Sequence, residues 1–409
     1  MSSFIKTVKI DDNNLGGFGN LKVANQDSLF DSQFTYDLQP LSFEQITSGD
    51  GVISHDSTNR CANLSIDTAT GSGDKAIMQS YSHLNYQAGR AQEIFISFNF
   101  NDDDGVTNLR RFAQYGTGDN AIGFELSDTE KNIYLYSDTL HGDTTVAQSS
   151  WNLDPLDGDG PSGITLDTSK TLILQIDLQA LYAGRVRVGF SIDGSFYVAH
   201  QFLNANNSLY PYIQNASLPI SVGMESTGTT ATDDDMLFIC SSIASRGGED
   251  KLLGLDFTQT GIATAASGTR THAISIRPKT TFNGIENRTG FVLKSIEIMV
   301  TGANPVDWYL SIGQGLTGES YSDVNSTYSA FEYDVTGTLS GSASIDIRSG
   351  HIPATNQSVG IVSVPLDSKY PITLDASGAV RANGTLTLAL SGVGGASDCR
   401  FSLNWTEIR

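Results

Sequence analysis

The stretch Arg185–Phe202, RVRVGFSIDGSFYVAHQF, decides the fold. Apolar residues alternate with polar or small ones on both sides of Asp193-Gly194, and a period of two is typical of half-buried strands. Asp-Gly between two such runs predicts a β-hairpin. We predict a three-residue loop that ends at Gly194, because it pairs Phe190 with Phe196 and places the apolar residues of both strands on one face.

The rest of the chain repeats this pattern of short strands and polar turns. Of its 409 residues, 39% are hydrophobic and only 17% are charged, and 41 are glycine. Such a composition predicts an all-β protein of two or three domains. We predict an N-terminal arm over residues 1–20, a β-sandwich over 21–250 and a smaller β-sandwich over 251–409. The glycine- and charge-rich segment 247–250 marks the boundary between the two sandwiches.

The charge of the chain argues against two classes of partner. The formal net charge is −21 and the sequence pI is about 4.5. A nucleic-acid-binding protein needs a basic stripe, and Arg110-Arg111 is the nearest approach to one. The acidity also disfavours an anionic membrane surface, and no run of about 18 apolar residues occurs. We therefore predict no nucleic-acid partner and no membrane partner.

Metal and cofactor sites are weakly supported by the residue spacing. The three cysteines lack the paired spacing of a structural zinc site; they are Cys61, Cys240 and Cys399. Asp154, Asp157 and Asp159 are calcium candidates, since oxygen-rich loops suit that cation. Their spacing does not match a closed calcium loop, so we predict no metal and no cofactor.

Catalytic patterns are also incomplete. A glycoside hydrolase needs two carboxylates that face each other across the scissile bond. Glu125, Asp128 and Glu130 are the nearest candidates, but their spacing breaks the alternation of a strand and separates them onto different faces. His200 lies on the inward side of the hairpin, where a buried histidine is expected. The sequence therefore predicts a protein that is not an enzyme.

Several segments follow one another in an order that resembles the virion structural proteins of tailed bacteriophages. The segments are Trp151–Asp154, Asp157–Gly163, Gly184–Arg187, Ile192–Gly194, His200–Phe202 and Leu218-Pro219, with Tyr36–Pro40 and Tyr86–Arg90 upstream and Asn404–Arg409 at the end. The Asp-Gly hairpin also resembles those of concanavalin A-like jelly rolls, a superfamily that includes lectins and glycosidases. A fold shared by so many activities does not decide function.

The resemblance implies a fold, a location and partners. The first β-sandwich is expected to be a concanavalin A-like jelly roll. The protein is expected in the virion, as a head decoration, a fibre or a tail-associated component in contact with capsid or tail proteins. It is also expected to be a homo-oligomer, which we predict to be a trimer built through heterologous contacts.

An alternative is a lectin-like protein that recognises a glycan on the host surface. Glycan sites need exposed aromatic rings beside polar side chains. Trp151 with Asn152, and Tyr210 with Tyr212, are the candidates for such a site.

The C-terminal segment has the pattern of an inserted strand. Over Arg400–Ile408, three large apolar residues alternate with polar ones; they are Phe401, Leu403 and Trp405. Alternation places all three on one face. Because chain ends fray unless a terminal strand is paired in a sheet, we predict that this strand is part of a core.

Overall fold

The computed structural model describes residues 26–67, 71–83, 90–118, 120–179, 181–215, 217–230, 233–246, 254–341, 344–354, 361–365 and 371–409. The predicted arm at residues 1–20 and the predicted boundary at 247–250 lie outside these residues. The chain divides into two compact units. The first consists of Met1–Ser80 and Leu84–Lys251, and the second of Tyr81–His83 and Leu252–Arg409.

The described residues of the first unit form fifteen strands. They are β1 (Gln26–Gln33), β2 (Phe43–Ser48), β3 (Gly51–Asp56), β4 (Cys61–Ile66), β5 (Lys75–Ser80), β6 (Ala91–Asn99), β7 (Val106–Thr117), β8 (Asn120–Asp128), β9 (Glu130–Tyr136), β10 (Thr144–Ala147), β11 (Leu172–Gln179), β12 (Val186–Ile192), β13 (Ser195–Phe202), β14 (Ile220–Ser226) and β15 (Asp234–Arg246).

These strands form a jelly-roll sandwich of two antiparallel sheets. One sheet has the order β13-β12-β11-β6-β15-β4-β3, with β1 also paired to β15, and the other has the order β10-β9-β8-β7-β14-β5-β2. Strands distant in sequence are neighbours, as β6 is of β15 and β7 is of β14. Such long connections between two packed sheets define the jelly roll and confirm the predicted concanavalin A-like class of fold.

Apolar side chains at alternate positions of the strands fill the space between the two sheets. Phe98 and Phe190 come from one sheet and Phe124 from the other, and all three are fully buried. The Phe124 ring lies edge-on to Phe190 at 5.1 Å and parallel to Phe100 at 5.7 Å. Edge and offset contacts of this kind are the preferred aromatic geometries, so these rings stabilise the centre of the sandwich.

The hairpin β12–β13 is present, but its predicted loop is wrong. Ile192 pairs with Ser195, which leaves a two-residue turn in which Asp193 (φ 48°) and Gly194 (φ 81°) are both left-handed. This is the type I′ geometry, which matches strand twist. A β-bulge in β13 does what the longer loop was predicted to do. Val188 pairs with His200 and Gly189 with Val198, so Ala199 is an extra residue, and it shifts the apolar residues of β13 onto the same face as those of β12.

The second unit contains the remaining strands. They are β16 (Leu255–Ala265), β17 (Thr271–Pro278), β18 (Thr281–Phe282), β19 (Ile285–Glu286), β20 (Gly290–Val300), β21 (Val306–Ile312), β22 (Leu316–Thr317), β23 (Ser322–Asp323), β24 (Phe331–Asp334), β25 (Thr338–Leu339), β26 (Ile345–Ile352), β27 (Ile361–Pro365), β28 (Leu386–Gly392) and β29 (Ser397–Ile408). The two main sheets run β16-β29-β20-β27 and β23-β24-β17-β28-β21-β26, and two small hairpins, β18-β19 and β22-β25, complete the unit.

The C-terminal strand β29 lies in the middle of its sheet. It pairs with β16 on one side and with β20 on the other. Phe401, Leu403 and Trp405 are all buried on its inner face. Trp405 is parallel to Phe291 at 5.8 Å, and its Nε1 donates to the buried carboxylate of Glu407 at 3.2 Å. The segment is therefore a core strand, as the alternation predicted.

Helix is almost absent from the described part of the chain. Its helical segments are two short 3-10 turns, Gln148–Ser150 and Ala382–Gly384. A helical turn near Asp177–Tyr182 is also suggested by the sequence, but β11 runs through Gln179 in that segment. Among the described residues, no helix is long and apolar enough to cross a membrane.

Candidate functional site

The predicted glycan residues do not form a platform for a sugar ring. Trp151 is buried, its Nε1 donates to the Val146 carbonyl at 3.0 Å, and its ring lies edge-on to Phe124 at 6.3 Å. Tyr212 is also buried. Both belong to the hydrophobic core of the first unit, so the prediction that they stack on a glycan is wrong.

The other two candidates are more exposed. Asn152 binds the β13 backbone with both ends of its amide, since its Nδ2 donates to the Gln201 carbonyl at 2.9 Å and its Oδ1 accepts from the Gln201 N–H at 3.0 Å. Tyr210 keeps 46% of its surface exposed. Asn152 therefore acts as a backbone clamp on the hairpin, and Tyr210 is the one residue of the four with an accessible ring.

The three calcium candidates are not assembled into a ligand set. Asp154 is buried, and its two oxygens accept from the N–H groups of Leu156 at 3.0 Å and Ser162 at 2.9 Å. Asp157 accepts from the N–H of Asp159 at 3.0 Å. Among the described residues, no group of three or more acidic, histidine or cysteine side chains is placed to hold a metal. These aspartates shape a turn.

A denser group of polar and aromatic side chains lies on the outer face of the sheet that contains β7, β8, β9 and β14, which we call the outer-face cluster. It consists of Arg110, Glu125, Tyr134, Tyr136 and Glu225. The Arg110 Nε donates to Glu125 Oε2 at 2.6 Å, and its Nη1 lies 3.7 Å from Glu225 Oε2. The guanidinium thus connects two carboxylates that come from different strands.

Strand alternation explains why these residues share the outer face. In β8, Ile122, Phe124 and Leu126 point into the core, so Glu125 points away from it. The same alternation in β14 directs Glu225 outward. Register completes the arrangement, because Arg110 is the direct cross-strand partner of Glu225.

Two tyrosines flank the ion pairs. Tyr134 and Tyr136 stack at 4.4 Å with an angle of 21° between their rings. The Arg110 guanidinium lies 5.3 Å from the centre of the Tyr134 ring and 5.9 Å from that of Tyr136. Tyr134 is fully buried and donates to Gln114 at 2.5 Å, whereas Tyr136 and Glu225 are partly exposed.

The electrostatics of the outer-face cluster keep Arg110 charged. Burial opposes its charge, but Tyr134 and Glu125 outweigh that effect and hold the pKa of Arg110 above its usual value. Burial raises the pKa of both tyrosines, and Glu125 adds to the effect at Tyr136. The cluster therefore presents one cation, the Arg110 guanidinium, beside two tyrosines that keep their hydroxyl protons at neutral pH.

The sequence pattern identifies one member of this cluster but groups it with the wrong neighbours. Glu125 is grouped with Asp128 and Glu130, which are close to it in the chain. Asp128 instead is the last residue of β8, where it has a φ of 52° and accepts from the Asn108 N–H at 2.6 Å. The true neighbours of Glu125 come from β7 and β9, since its carboxylate accepts from Arg110, from Asn132 at 3.4 Å and from the Tyr136 hydroxyl at 3.5 Å. The alternation Arg110-x-Phe112-x-Gln114 is the available signal.

The inward histidine of the hairpin is a structural residue. His200 is buried, and its Nδ1 accepts from the Asn152 N–H at 3.3 Å. Burial lowers the pKa of His200 to about 4. A neutral imidazole at physiological pH suits this acceptor role.

The strand order of the first unit is that of a jelly-roll β-sandwich, and solved structures of several activities align with part of the chain. No protein-family model and no curated protein matches the sequence. An endo-1,3-β-glucanase from Streptomyces sioyaensis aligns with a TM-score of 0.36 and 10% identity over 55% of this chain and 97% of its own.

Two further structures illustrate the range of activities. An endo-β-1,4-glucuronan lyase from Trichoderma reesei aligns with a TM-score of 0.37 and 11% identity over 53% of this chain and 95% of its own. The lectin UEA-II complexed with galactose aligns with a TM-score of 0.32 and 12% identity over 54% of this chain and 100% of its own.

These comparisons correct the prediction that the protein is not an enzyme. A glucanase and a lyase are among the proteins whose fold the chain resembles, so this fold class does not exclude catalysis. Nothing in the similarity to the glucanase, the lyase and the lectin links the chain to a phage particle. What these three proteins share with the chain is the jelly roll itself.

Proposed function

We propose that the first unit is a lectin-like carbohydrate-binding module that uses the outer-face cluster. The observation that carries this proposal is the pair of stacked tyrosines beside Arg110 and its two carboxylates. Aromatic side chains combine an apolar ring with a polar tip, and binding sites typically pair such apolar surface with a few fixed polar groups. A sugar has the same combination, with C–H groups on its faces and hydroxyls around its edge.

The accessible members of the cluster define where a sugar would lie. Tyr136 offers its ring, and Tyr134 supports that ring from behind. Glu225, whose side chain is 36% exposed, offers carboxylate oxygens to hydroxyl donors. Arg110 fixes both carboxylates, so the acceptors are positioned before a ligand arrives. Such preorganisation reduces the cost of binding.

A glycan-binding assay with matched variants tests this proposal. The probes are a β-1,3-glucan, a glucuronan, galactose and mucin O-glycans, measured by calorimetry and glycan array. Tyr136→Ala and Glu225→Gln should each weaken binding at least about tenfold, equivalent to about 1.4 kcal/mol. Tyr36→Ala, which changes a tyrosine that is 89% exposed and lies outside the cluster, should leave binding unchanged. Binding to none of the probes, or equal affinity in all variants, would contradict the proposal.

The same samples also show whether bound glycan is cleaved. Release of new reducing ends or unsaturated sugars should be measured with each polysaccharide. If cleavage occurs, Glu125→Gln should abolish it while Tyr36→Ala should not, because the Glu125 carboxylate accepts from the Tyr136 hydroxyl at 3.5 Å. Cleavage that survives the loss of Glu125 would place the chemistry elsewhere in the chain.

A second proposal concerns where the module acts. We propose that the protein is a component of a phage particle, in contact with capsid or tail proteins, where a host glycan would be its ligand. The support for this proposal is the sequence resemblance described above. The segments from Trp151–Asp154 to Leu218-Pro219 follow one another along the chain in an order that resembles that of virion proteins. Antibody labelling of purified particles in electron microscopy should mark the head, a fibre or the tail. Unlabelled particles that contain no peptide of this chain by mass spectrometry would overturn it.

A further inference from the structure

The strand β16 forms one edge of its four-stranded sheet, and it lacks the usual protection of an edge. Among the described residues, β16 pairs with β29 alone. Its eleven residues, LDFTQTGIATA, include one charged side chain, Asp256, and no lysine, arginine or proline. The register with β29 is regular over all eleven pairs, without a bulge. An edge of this kind is a template for another strand.

Three other edges of the described sheets are blunted. The edge strand β26 carries Asp346, Arg348 and His351. The edge strand β13 is covered by the segment before it, since the N–H groups of Leu153 and Asp154 both donate to the Ala199 carbonyl at 3.1 Å. The edge strand β10 has only four residues. Charge, coverage and shortness are the devices by which proteins avoid pairing at edges. The strand β16 has eleven residues with Asp256 as its one charge, and no strand of the described part of the chain covers its free edge.

The sequence of β16 is complementary to itself when two copies run antiparallel about Thr260. This register places Thr260 opposite its own copy and Thr258 opposite Ile262, which are β-branched pairs on the outer face. On the inner face, Phe257 meets Ala263, which places a large side chain beside a small one. No charge meets a like charge. Cross-strand pairs of these types stabilise antiparallel strands.

We propose that β16 pairs with β16 of a second copy, which makes the protein a two-fold dimer with one sheet continuous across both copies. The occupant is a second copy because the register uses all eleven residues and opposes compatible side chains at each position. Ile262, which is 69% exposed in one chain, gains a β-branched neighbour in this arrangement. Pairing of a strand with itself requires a two-fold axis, so this interface gives a dimer and not the trimer that the sequence suggested.

Light scattering after size exclusion tests the oligomeric state of the full chain. The wild-type protein should have twice the chain mass of 43.8 kDa. Thr260→Lys should reduce it to a single chain, because two lysines then face each other across the axis. Thr260→Val should remain a dimer, and so should Ser349→Lys, which adds the same charge to the edge strand β26. A wild-type mass of one or three chains, or a dimeric Thr260→Lys variant, would overturn the proposal.

Disulfide trapping tests the register. Opposed residues in antiparallel strands have Cα atoms about 4.5–5.5 Å apart, within the range of a disulfide. Oxidised Thr260→Cys should therefore migrate as a covalent dimer on a non-reducing gel, while Ser349→Cys and the wild type should not. A circular dichroism spectrum unchanged from wild type would confirm that each variant is folded. No covalent dimer from Thr260→Cys in a folded protein would refute the register about Thr260.

Discussion

Replacing Trp405 with alanine should destabilise the second unit by about 3–5 kcal/mol, the range observed for large aromatic residues in cores. Trp405 is fully buried between Phe257 and Phe291 on the central strand of its sheet. A buried tryptophan removes roughly 150–250 Å² from water, which at about 25 cal/mol per Å² gives an upper bound of about 4–6 kcal/mol. The two estimates agree.

The effect should be large for a second reason. The Glu407 carboxylate is also fully buried, and it accepts from Ser329 Oγ at 2.5 Å and the Ala330 N–H at 2.9 Å as well as from Trp405. Arg409 Nη2 is a fourth donor at 3.4 Å, so loss of the indole N–H removes one of four donors from a buried carboxylate, which costs more than loss of an exposed hydrogen bond. The expected loss is a large share of the 5–15 kcal/mol that stabilises a typical protein.

Pulse proteolysis in urea, with fragments identified by mass spectrometry, measures the two units separately. The Trp405→Ala variant should lose the second unit at lower urea concentration while the jelly roll resists as in wild type. The control Val393→Ala truncates a side chain that is 46% exposed and should unfold as wild type does. A loss below about 1 kcal/mol, or an equal loss in both units, would refute the assignment of β29 to an independent core.

Three further predictions concern the first unit. Gly194→Val should lower the melting temperature through about 1–3 kcal/mol of backbone strain, because Gly194 has a positive φ. No atom lies within 4 Å of the added Cβ, so a steric clash does not contribute. Gly194→Asn should be tolerated, and an unchanged melting temperature for the valine variant would contradict the turn geometry. Burial lowers the pKa of His200 from 6.5 to about 4, so between these pH values the folded state binds fewer protons than the unfolded state. The stability that neutral His200 contributes is therefore complete above pH 6.5 and is lost as the pH falls toward 4. Melting curves across this window should fall more steeply for wild type than for His200→Gln, and parallel curves would argue against the buried acceptor. Millimolar EDTA should leave the melting temperature unchanged because backbone N–H groups occupy both oxygens of Asp154, and a shift of several degrees reversed by calcium would show a metal site.

The strands and their faces could be predicted because alternation is a local signal. Ile94, Ile96 and Phe98 are buried in β6 as their spacing requires, and the same holds for β29. The loop of the central hairpin could not be predicted in this way. The bulge at Ala199 depends on a distant segment, since two N–H groups from residues 153 and 154 bind the Ala199 carbonyl. Tertiary contacts therefore decided a register that local pattern left open.

The candidate site was beyond local pattern for the same reason. Arg110 and Glu225 are cross-strand partners although more than a hundred residues separate them in the chain. Their meeting follows from the jelly-roll connection that places β14 beside β7, which no short spacing reports. At Trp151 the local pattern predicted a site that is not there. A tryptophan beside polar residues in a loop has the composition of a glycan site, but composition does not show that the ring is buried.

The position of β29 between β16 and β20 has a consequence for the order in which the protein folds. The strand β16 cannot pair with β29 until the whole second unit has been synthesised, because the strands β17 to β28 lie between these two partners in the chain. Contacts of such long sequence separation form slowly. During synthesis the jelly roll can fold first, while β16 still lacks its partner strand β29 and is open to pairing with other chains. The rate at which β29 reaches its place therefore governs how much of the newly made protein becomes native and how much aggregates.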